Sequence, residues 1–134
     1  MTKLTKIEGI GEVYAQNLKD AGIATVEALL VAGASPKGRQ EIEEKTGIGH
    51  AYILKWVNRA DLFRVKGISE EYADLLEASG VDTVPELARR KGENLHAKLG
   101  EVNAAKKLVR KLPALSQVSD WIKQAGDLPR VVTY

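Results

Sequence analysis

Two short glycine turns carry most of the chemistry open to this chain. Gly9-Ile10-Gly11 and Gly47-Ile48-Gly49 each stand just ahead of a helical pattern. A glycine turn lets an anion approach the backbone closely. The first N–H groups of the following helix, with its dipole, then favour negative charge. The chemistry on offer is anion holding by the amides around Gly9, Ile10 and Gly11 and around Gly47, Ile48 and Gly49. The second turn adds basic residues, with His50 directly after Gly49 and Lys55 and Arg59 further along. The first puts Glu12 after Gly11, where a carboxylate stabilises the helix by about 0.3–1 kcal/mol but takes up the potential a phosphate would use. A third turn, Gly67-Ile68-Ser69, leads into Glu70-Glu71, and Ser69 reads as a helix N-cap. Turns one and three therefore read as helix reversals more than as anion sites.

The second source of chemistry is a run of cations. Between Arg89 and Lys111 stand Arg89, Arg90, Lys91, Lys98, Lys106, Lys107, Arg110 and Lys111, against only Glu93 and Glu101. That stretch carries +6 and the rest of the chain −4, within a net charge of +2. Asn103–Leu112 has the pattern of an amphipathic helix. At about 100° per residue, Lys106, Lys107, Arg110 and Lys111 fall in one stripe of ~140°, opposite Ala105, Leu108, Val109 and Leu112. If Arg89, Arg90 and Lys91 share that face, a nucleic-acid backbone is a natural partner, bound with marked salt dependence. An ordinary solvated face is the competing reading.

Other chemistries find no support. There is no cysteine, so disulfides, thiolate catalysis and Cys-based zinc sites are excluded. His50 and His96 have no ligands at metal spacing and read as surface histidines. Glu41, Glu43 and Glu44 form a charged helix face. No enzyme, cofactor or small-molecule substrate is expected. No apolar run is long enough to span a bilayer. The start, Met1-Thr2-Lys3-Leu4-Thr5-Lys6-Ile7, leads straight into the pattern below and leaves no room for a signal peptide, so a soluble cytoplasmic protein without a membrane partner is expected.

The elements that must position these residues repeat. Ile7-Glu8-Gly9-Ile10-Gly11-Glu12-Val13-Tyr14-Ala15 returns 58 residues later as Val65-Lys66-Gly67-Ile68-Ser69-Glu70-Glu71-Tyr72-Ala73. In the same register Leu18 returns as Leu76, Gly22 as Gly80 and Leu29 as Leu87. A fixed period points to a duplicated structural unit. Leu, Ala, Glu and Lys dominate and β-branched runs are scarce before the last residues, so an all-α fold is predicted. Leu4 and Ile7 mark a short first helix. A second runs from Glu12 to Ala21 with Val13, Ala15 and Leu18 inward, capped by Gly22. Thr25 and Ser35-Pro36 open two more, and Ile53, Leu54, Trp56 and Val57 lie on a fifth. Thr83-Val84-Pro85-Glu86 has capping-box spacing.

Trp56-Val57 corresponds to Trp121-Ile122, now 65 residues apart, so seven residues have been inserted, around Lys91 to Val102. Pro113-Ala114 replaces Ile48-Gly49. Both tryptophans read as core. Tyr14 and Tyr72 read as buried rings whose hydroxyls reach backbone groups. The expected organisation is two consecutive units, 1–61 and 62–128, packed as one body. An extended tail over 129–134 is expected to dock its Val and Tyr side chains.

The pattern Ile7-x-Gly9-Ile10-Gly11-x-x-x-Ala15-x-x-Leu18 resembles a helix-hairpin-helix motif. Thr46-Gly47-Ile48-Gly49 followed by Ile53-Leu54 resembles a second copy. Two copies with a connector helix are similar to the double helix-hairpin-helix domain of Holliday-junction recognition proteins, excision-repair nucleases and ligases. Ala21-Gly22-Ile23-x-Thr25-Val26-x-x-Leu29 also resembles the C-terminal domain of the RNA polymerase α subunit. Nearly the whole chain is similar to a bacterial domain-of-unknown-function family with tandem helix-hairpin-helix units. The resemblance implies hairpin amides gripping phosphates without reading bases. It departs at Glu12 and at Glu70-Glu71, where DNA-binding hairpins carry Lys or Arg. Three expectations stay open: sequence-independent binding of nucleic acid, DNA ahead of RNA; an adaptor docking an acidic protein surface; and, between them, an RNA polymerase or ribosome accessory factor.

Overall fold

Side-chain caps open several of the helices. A computed structural model describes residues 2–134, so Met1, where the first expected unit begins, lies outside them. Among the described residues the chain forms eight α-helices and one 3-10 helix, with one isolated β-bridge between Lys3 and Thr25. The fold is all-α. It divides into two compact units, one running to Asp61 and taking in Arg130–Tyr134, the other spanning Leu62–Pro129.

In the first unit a 3-10 helix at Leu4–Lys6 precedes α1 (Glu12–Asp20), α2 (Val26–Ala32), α3 (Pro36–Thr46) and α4, which runs His50–Leu62 into the start of the second unit. Thr25 Oγ1 accepts from the Ala28 N–H and Ser35 Oγ from the Gly38 N–H, each at 3.0 Å. These bonds satisfy donors that a first turn leaves without partners. Leu4, Ile7, Leu18, Ile53 and Trp56 form the core, and Ile10 and Ile48 are buried as plugs of the two turns. Val13, expected inward, is instead 83% exposed. With Ala15 and Leu18 fixing the buried face of α1, Val13 lies too far round the helix to share it. The chain start pairs with the beginning of α2. Val26 N–H donates to the Thr2 carbonyl, and the Thr2 N–H and hydroxyl both donate to the Glu27 carboxylate. The Thr2 backbone bond holds that carboxyl below its ordinary range.

The expected tail divides. The Pro129 carbonyl accepts two bonds from the Arg64 guanidinium within the second unit. Residues 130–134 belong to the first. There Thr133 N–H donates to the Ala34 carbonyl (2.8 Å), and Arg39, 2% exposed, donates to the Thr133 carbonyl (2.7 Å) and to those of Gly33 and Ala34. Val132 is buried and the Tyr134 hydroxyl donates to Asn58 Oδ1 at 2.6 Å.

The second unit holds α5 (Glu70–Ala78), α6 (Val84–Ala88), α7 (Gly92–Lys106) and α8 (Leu115–Asp127). Helix α8 packs on α6 and α7, and α7 on α5. Thr83 Oγ1 caps α6 by accepting from the Glu86 N–H. The inserted residues do not sit where expected. Helix α6 is two residues shorter than α2, α7 is four longer than α3, and the link to the last helix is five longer than that between α3 and α4. Most of the added length therefore follows Lys106, outside Lys91 to Val102.

The predicted amphipathic helix over Asn103–Leu112 is not there. Helix α7 stops at Lys106, and Lys107 caps it in the left-handed conformation at φ 51°. The stop is enforced by Asn103, whose amide imitates a backbone partner. Its Oδ1 accepts from the Val109 N–H (2.9 Å) and its Nδ2 donates to the Val109 carbonyl (3.1 Å). Asn side chains compete with helical bonding in this way. Of the four residues assigned to a buried stripe only Val109 is buried, and Leu108 and Leu112 are 38% and 40% exposed. The loop then turns back along α7. Pro113 is buried, its carbonyl 3.1 Å from His96 Nε2, so His96 fastens the loop rather than standing as a surface histidine.

At the matching helix end of the first unit the left-handed residue is Gly47, φ 73°. A side chain in that region costs about 1–2 kcal/mol. Lys107→Gly should accordingly raise the stability of the second unit by roughly 0.5–1 kcal/mol after the added chain entropy of glycine, read as a higher midpoint in chemical denaturation.

Candidate nucleic-acid interface

The first glycine turn is seated on a tryptophan. Gly9 adopts φ +96°, and a Cβ there would lie 3.2 Å from Trp56 Nε1. Trp56 projects from α4, so the turn before α1 rests on the helix that follows the second turn. Tyr14 of α1 and Tyr52 of α4 complete the cluster, with centroids 5.1 and 6.0 Å from Trp56 and 6.4 Å from each other. Helical side chains lean toward the N-terminus. The Tyr52 ring accordingly lies over Gly49, 3.6 Å from where a Cβ would stand. Tyr14 stands three residues after Gly11 and Tyr52 three after Gly49. Their contact brings the starts of α1 and α4 together.

The six hairpin amides divide evenly. Ile10 N–H donates to the Ile7 carbonyl, Gly47 N–H to the Glu43 carbonyl and Ile48 N–H to Thr46 Oγ1. Those three are used by the fold. The Gly9, Gly11 and Gly49 N–H groups donate to no protein group among the described residues. Gly11 is the N-cap of α1 and brings no side-chain cap, so the leading amides of that helix also point outward. Nothing lies within 4 Å of a Cβ at Gly11, and its φ is −87°. Folding does not require glycine there. Of the charged neighbours, Glu12 is exposed, His50 Nδ1 sits 3.9 Å from a Glu43 carboxylate oxygen, and Lys55 is exposed further along α4.

The second unit repeats the seat and closes the site. Gly67 adopts φ +95°, and a Cβ there would stand 3.0 Å from Trp121 Nε1. Ser69 Oγ accepts from the Tyr72 N–H at 3.3 Å. The Ala114 N–H, equivalent in register to that of Gly49, donates to Gln117 Oε1 at 2.9 Å. Gln117 stands where the first unit has Tyr52. Tyr72 packs on Trp121 and donates its hydroxyl to the Lys111 carbonyl at 3.1 Å, as expected of it. Tyr14, expected to do likewise, stays 36% exposed in the three-ring cluster because no inserted loop covers it.

The cations separate. Arg89 and Lys91 are exposed at the start of α7, whereas Lys106, Lys107, Arg110 and Lys111 are exposed at and beyond its end, about 22 Å away along a 15-residue helix. They do not share one stripe. Arg90 is engaged, donating to the Gly80 carbonyl and pairing with Glu86 at 3.1 Å. The side chains of Lys106, Lys107, Arg110 and Lys111 make no ion pair among the described residues. Sequence reasoning missed Tyr52, although the shared spacing of Gly11 to Tyr14 and Gly49 to Tyr52 was there to be seen. No cluster of three or more metal-ligating side chains and no helix long and apolar enough to cross a membrane occurs among the described residues.

Residues 8–128 match the model of a family described as Domain of unknown function (DUF4332), and the chain belongs to that family. Comparison with curated proteins and with solved structures produced no match.

Two substitutions separate the glycine whose conformation builds the turn from the one whose conformation any residue adopts. Gly9→Ala forces a side chain into the left-handed region against Trp56 and should cost on the order of 2 kcal/mol. Gly11→Ser supplies the cap that Ser69 already provides in the second unit and should leave stability within ~0.5 kcal/mol of the parent. Thermal denaturation of the two variants reads the difference.

Proposed function

We propose that this protein binds nucleic acid, DNA ahead of RNA, without reading its sequence and without catalysing a reaction. The first unit acts as a double helix-hairpin-helix element. The observation that carries the reading is the pair of open helix starts, α1 and α4, drawn together beneath Tyr14 and Tyr52, where the second unit caps both equivalents with its own side chains. Gly11 and Gly49 present N–H groups at helix ends whose dipoles favour a phosphate oxygen. Two such ends side by side suit successive phosphates. These contacts position a backbone and carry no base information. Lys106, Lys107, Arg110 and Lys111, exposed and without ion pairs among the described residues, supply the long-range attraction from the second unit. A cytoplasmic location accompanies this reading.

A protein-interaction adaptor is the second reading, and one observation favours it. Leu108, Leu112 and Leu115, each about two-fifths exposed, lie on the same short stretch of chain as those four cations. A phosphate backbone has no use for them, whereas an acidic protein surface with apolar side chains would.

Fluorescence anisotropy with labelled duplex, single-stranded and junction DNA, run from low to high salt, tests the proposal. Binding should weaken steeply with salt. Changing Lys106, Lys107, Arg110 and Lys111 to Gln should make the log–log slope shallower, by up to ~0.9 for each of the four that neutralises a phosphate. Gly11→Ser should weaken binding without loss of stability, and Glu12→Gln should strengthen it. Absence of binding at low salt to all three DNAs would reject the proposal in favour of the adaptor.

A further inference from the structure

From the ring geometry we infer that the first unit prefers single-stranded nucleic acid and stacks an unpaired base on Tyr52, with Tyr14 beside it. The inference rests on the nucleic-acid reading above and narrows it to one class of ligand. Tyr52 is 56% exposed at the first turn of α4, its ring over Gly49, and Tyr14 is 36% exposed at the first turn of α1. The two rings stand 6.4 Å apart at 34°, braced from below by Trp56, which is 1% exposed. A braced, part-exposed aromatic surface with open backbone amides at its edge is what an unpaired nucleotide needs. The ring takes the base and the amide takes the phosphate, and every base has a face to offer. A duplex hides those faces inside its own stack.

The second unit serves as an internal control. The same helical plan forms there with Gln117 in place of Tyr52, and with Tyr72 tied to the Lys111 carbonyl. The fold therefore does not need an exposed second ring at this position. The Tyr52 hydroxyl makes no hydrogen bond among the described residues, and the equivalent position in the repeat, Gln117, is exposed but carries no ring. Glu12 works against phosphate binding at the α1 end, which leaves the α4 end, with Gly49, His50 and Tyr52, as the stronger half of the site.

The test compares labelled oligo(dT) with a duplex of equal length, both at one low salt concentration, using the full chain and its Tyr52→Ala and Tyr52→Phe variants. Oligo(dT) should bind the parent more tightly than duplex and quench its tyrosine and tryptophan fluorescence. Tyr52→Ala should weaken oligo(dT) binding about tenfold or more, with duplex binding held within about twofold, and Tyr52→Phe should keep the parent affinity. Circular dichroism checks that both variants fold, and a half-exposed tyrosine is a mild site to truncate. If oligo(dT) and duplex both bind and Tyr52→Ala changes neither, stacking is wrong and phosphate binding stands. A duplex preference in the parent, or equal losses in Tyr52→Ala and Tyr52→Phe, would also overturn the inference. If neither nucleic acid binds, both readings fall together.

Discussion

An indole edge beneath a glycine turn is the contact on which each unit depends. Trp56 and Trp121 are both buried to 1% exposure, and each has a left-handed glycine lying on its Nε1 edge. A side chain there would be strained both by the positive φ and by its approach to the indole, so glycine is the residue that reverses the chain at least cost. The turn then aims the next helix, and the buried isoleucine beside it, Ile10 or Ile68, locks the turn to the core. Burial of a tryptophan also supplies more apolar area than any aliphatic residue could. With so few aromatic side chains in the molecule, the two indoles are its principal organising groups.

Above that common seat the two units differ in how their helix ends are satisfied. The second unit uses its own side chains and its inserted loop. Ser69 Oγ takes the Tyr72 N–H, Gln117 Oε1 takes the Ala114 N–H, and Asn103 and His96 fasten residues 107–114 along α7. In the first unit the link between α3 and α4 is only three residues long, too short to fold back along α3 in the same way. Duplication followed by divergence would yield this pair: one copy that fills its polar surface internally and one that leaves it open.

Much of the architecture was legible in the sequence. The 58-residue repeat, the caps at Thr25, Ser35 and Thr83, and the glycines at positions 9, 22 and 47 mark helix limits by local rules that need no tertiary information. The tryptophans were recognisable as core from their equivalent positions. Readings that relied on periodicity alone did less well. Asn103–Leu112 has a helical pattern, but a single asparagine captures the Val109 backbone and ends the helix, and periodicity does not register that competition. Val13 has the apolar character of a core residue at an angle the core does not reach. The candidate site was half legible. Its glycines were visible, whereas the split between engaged and open amides depends on bonds such as Ile48 N–H to Thr46 Oγ1 that only coordinates reveal. The pairing of Tyr14 with Tyr52 is a tertiary contact between segments 38 residues apart.

We propose that the open starts of α1 and α4 are the place where this molecule meets a phosphate backbone. Amide chemical-shift mapping by two-dimensional NMR, with an oligonucleotide titrated into the isotope-labelled full chain, addresses it residue by residue. The account predicts the largest shifts at the amides of Gly11, Glu12, Gly49 and His50, with Tyr72 and Ala114, whose amides are bonded to side chains, nearly still. Shifts of equal size in both units, or a spectrum that does not change, would contradict it.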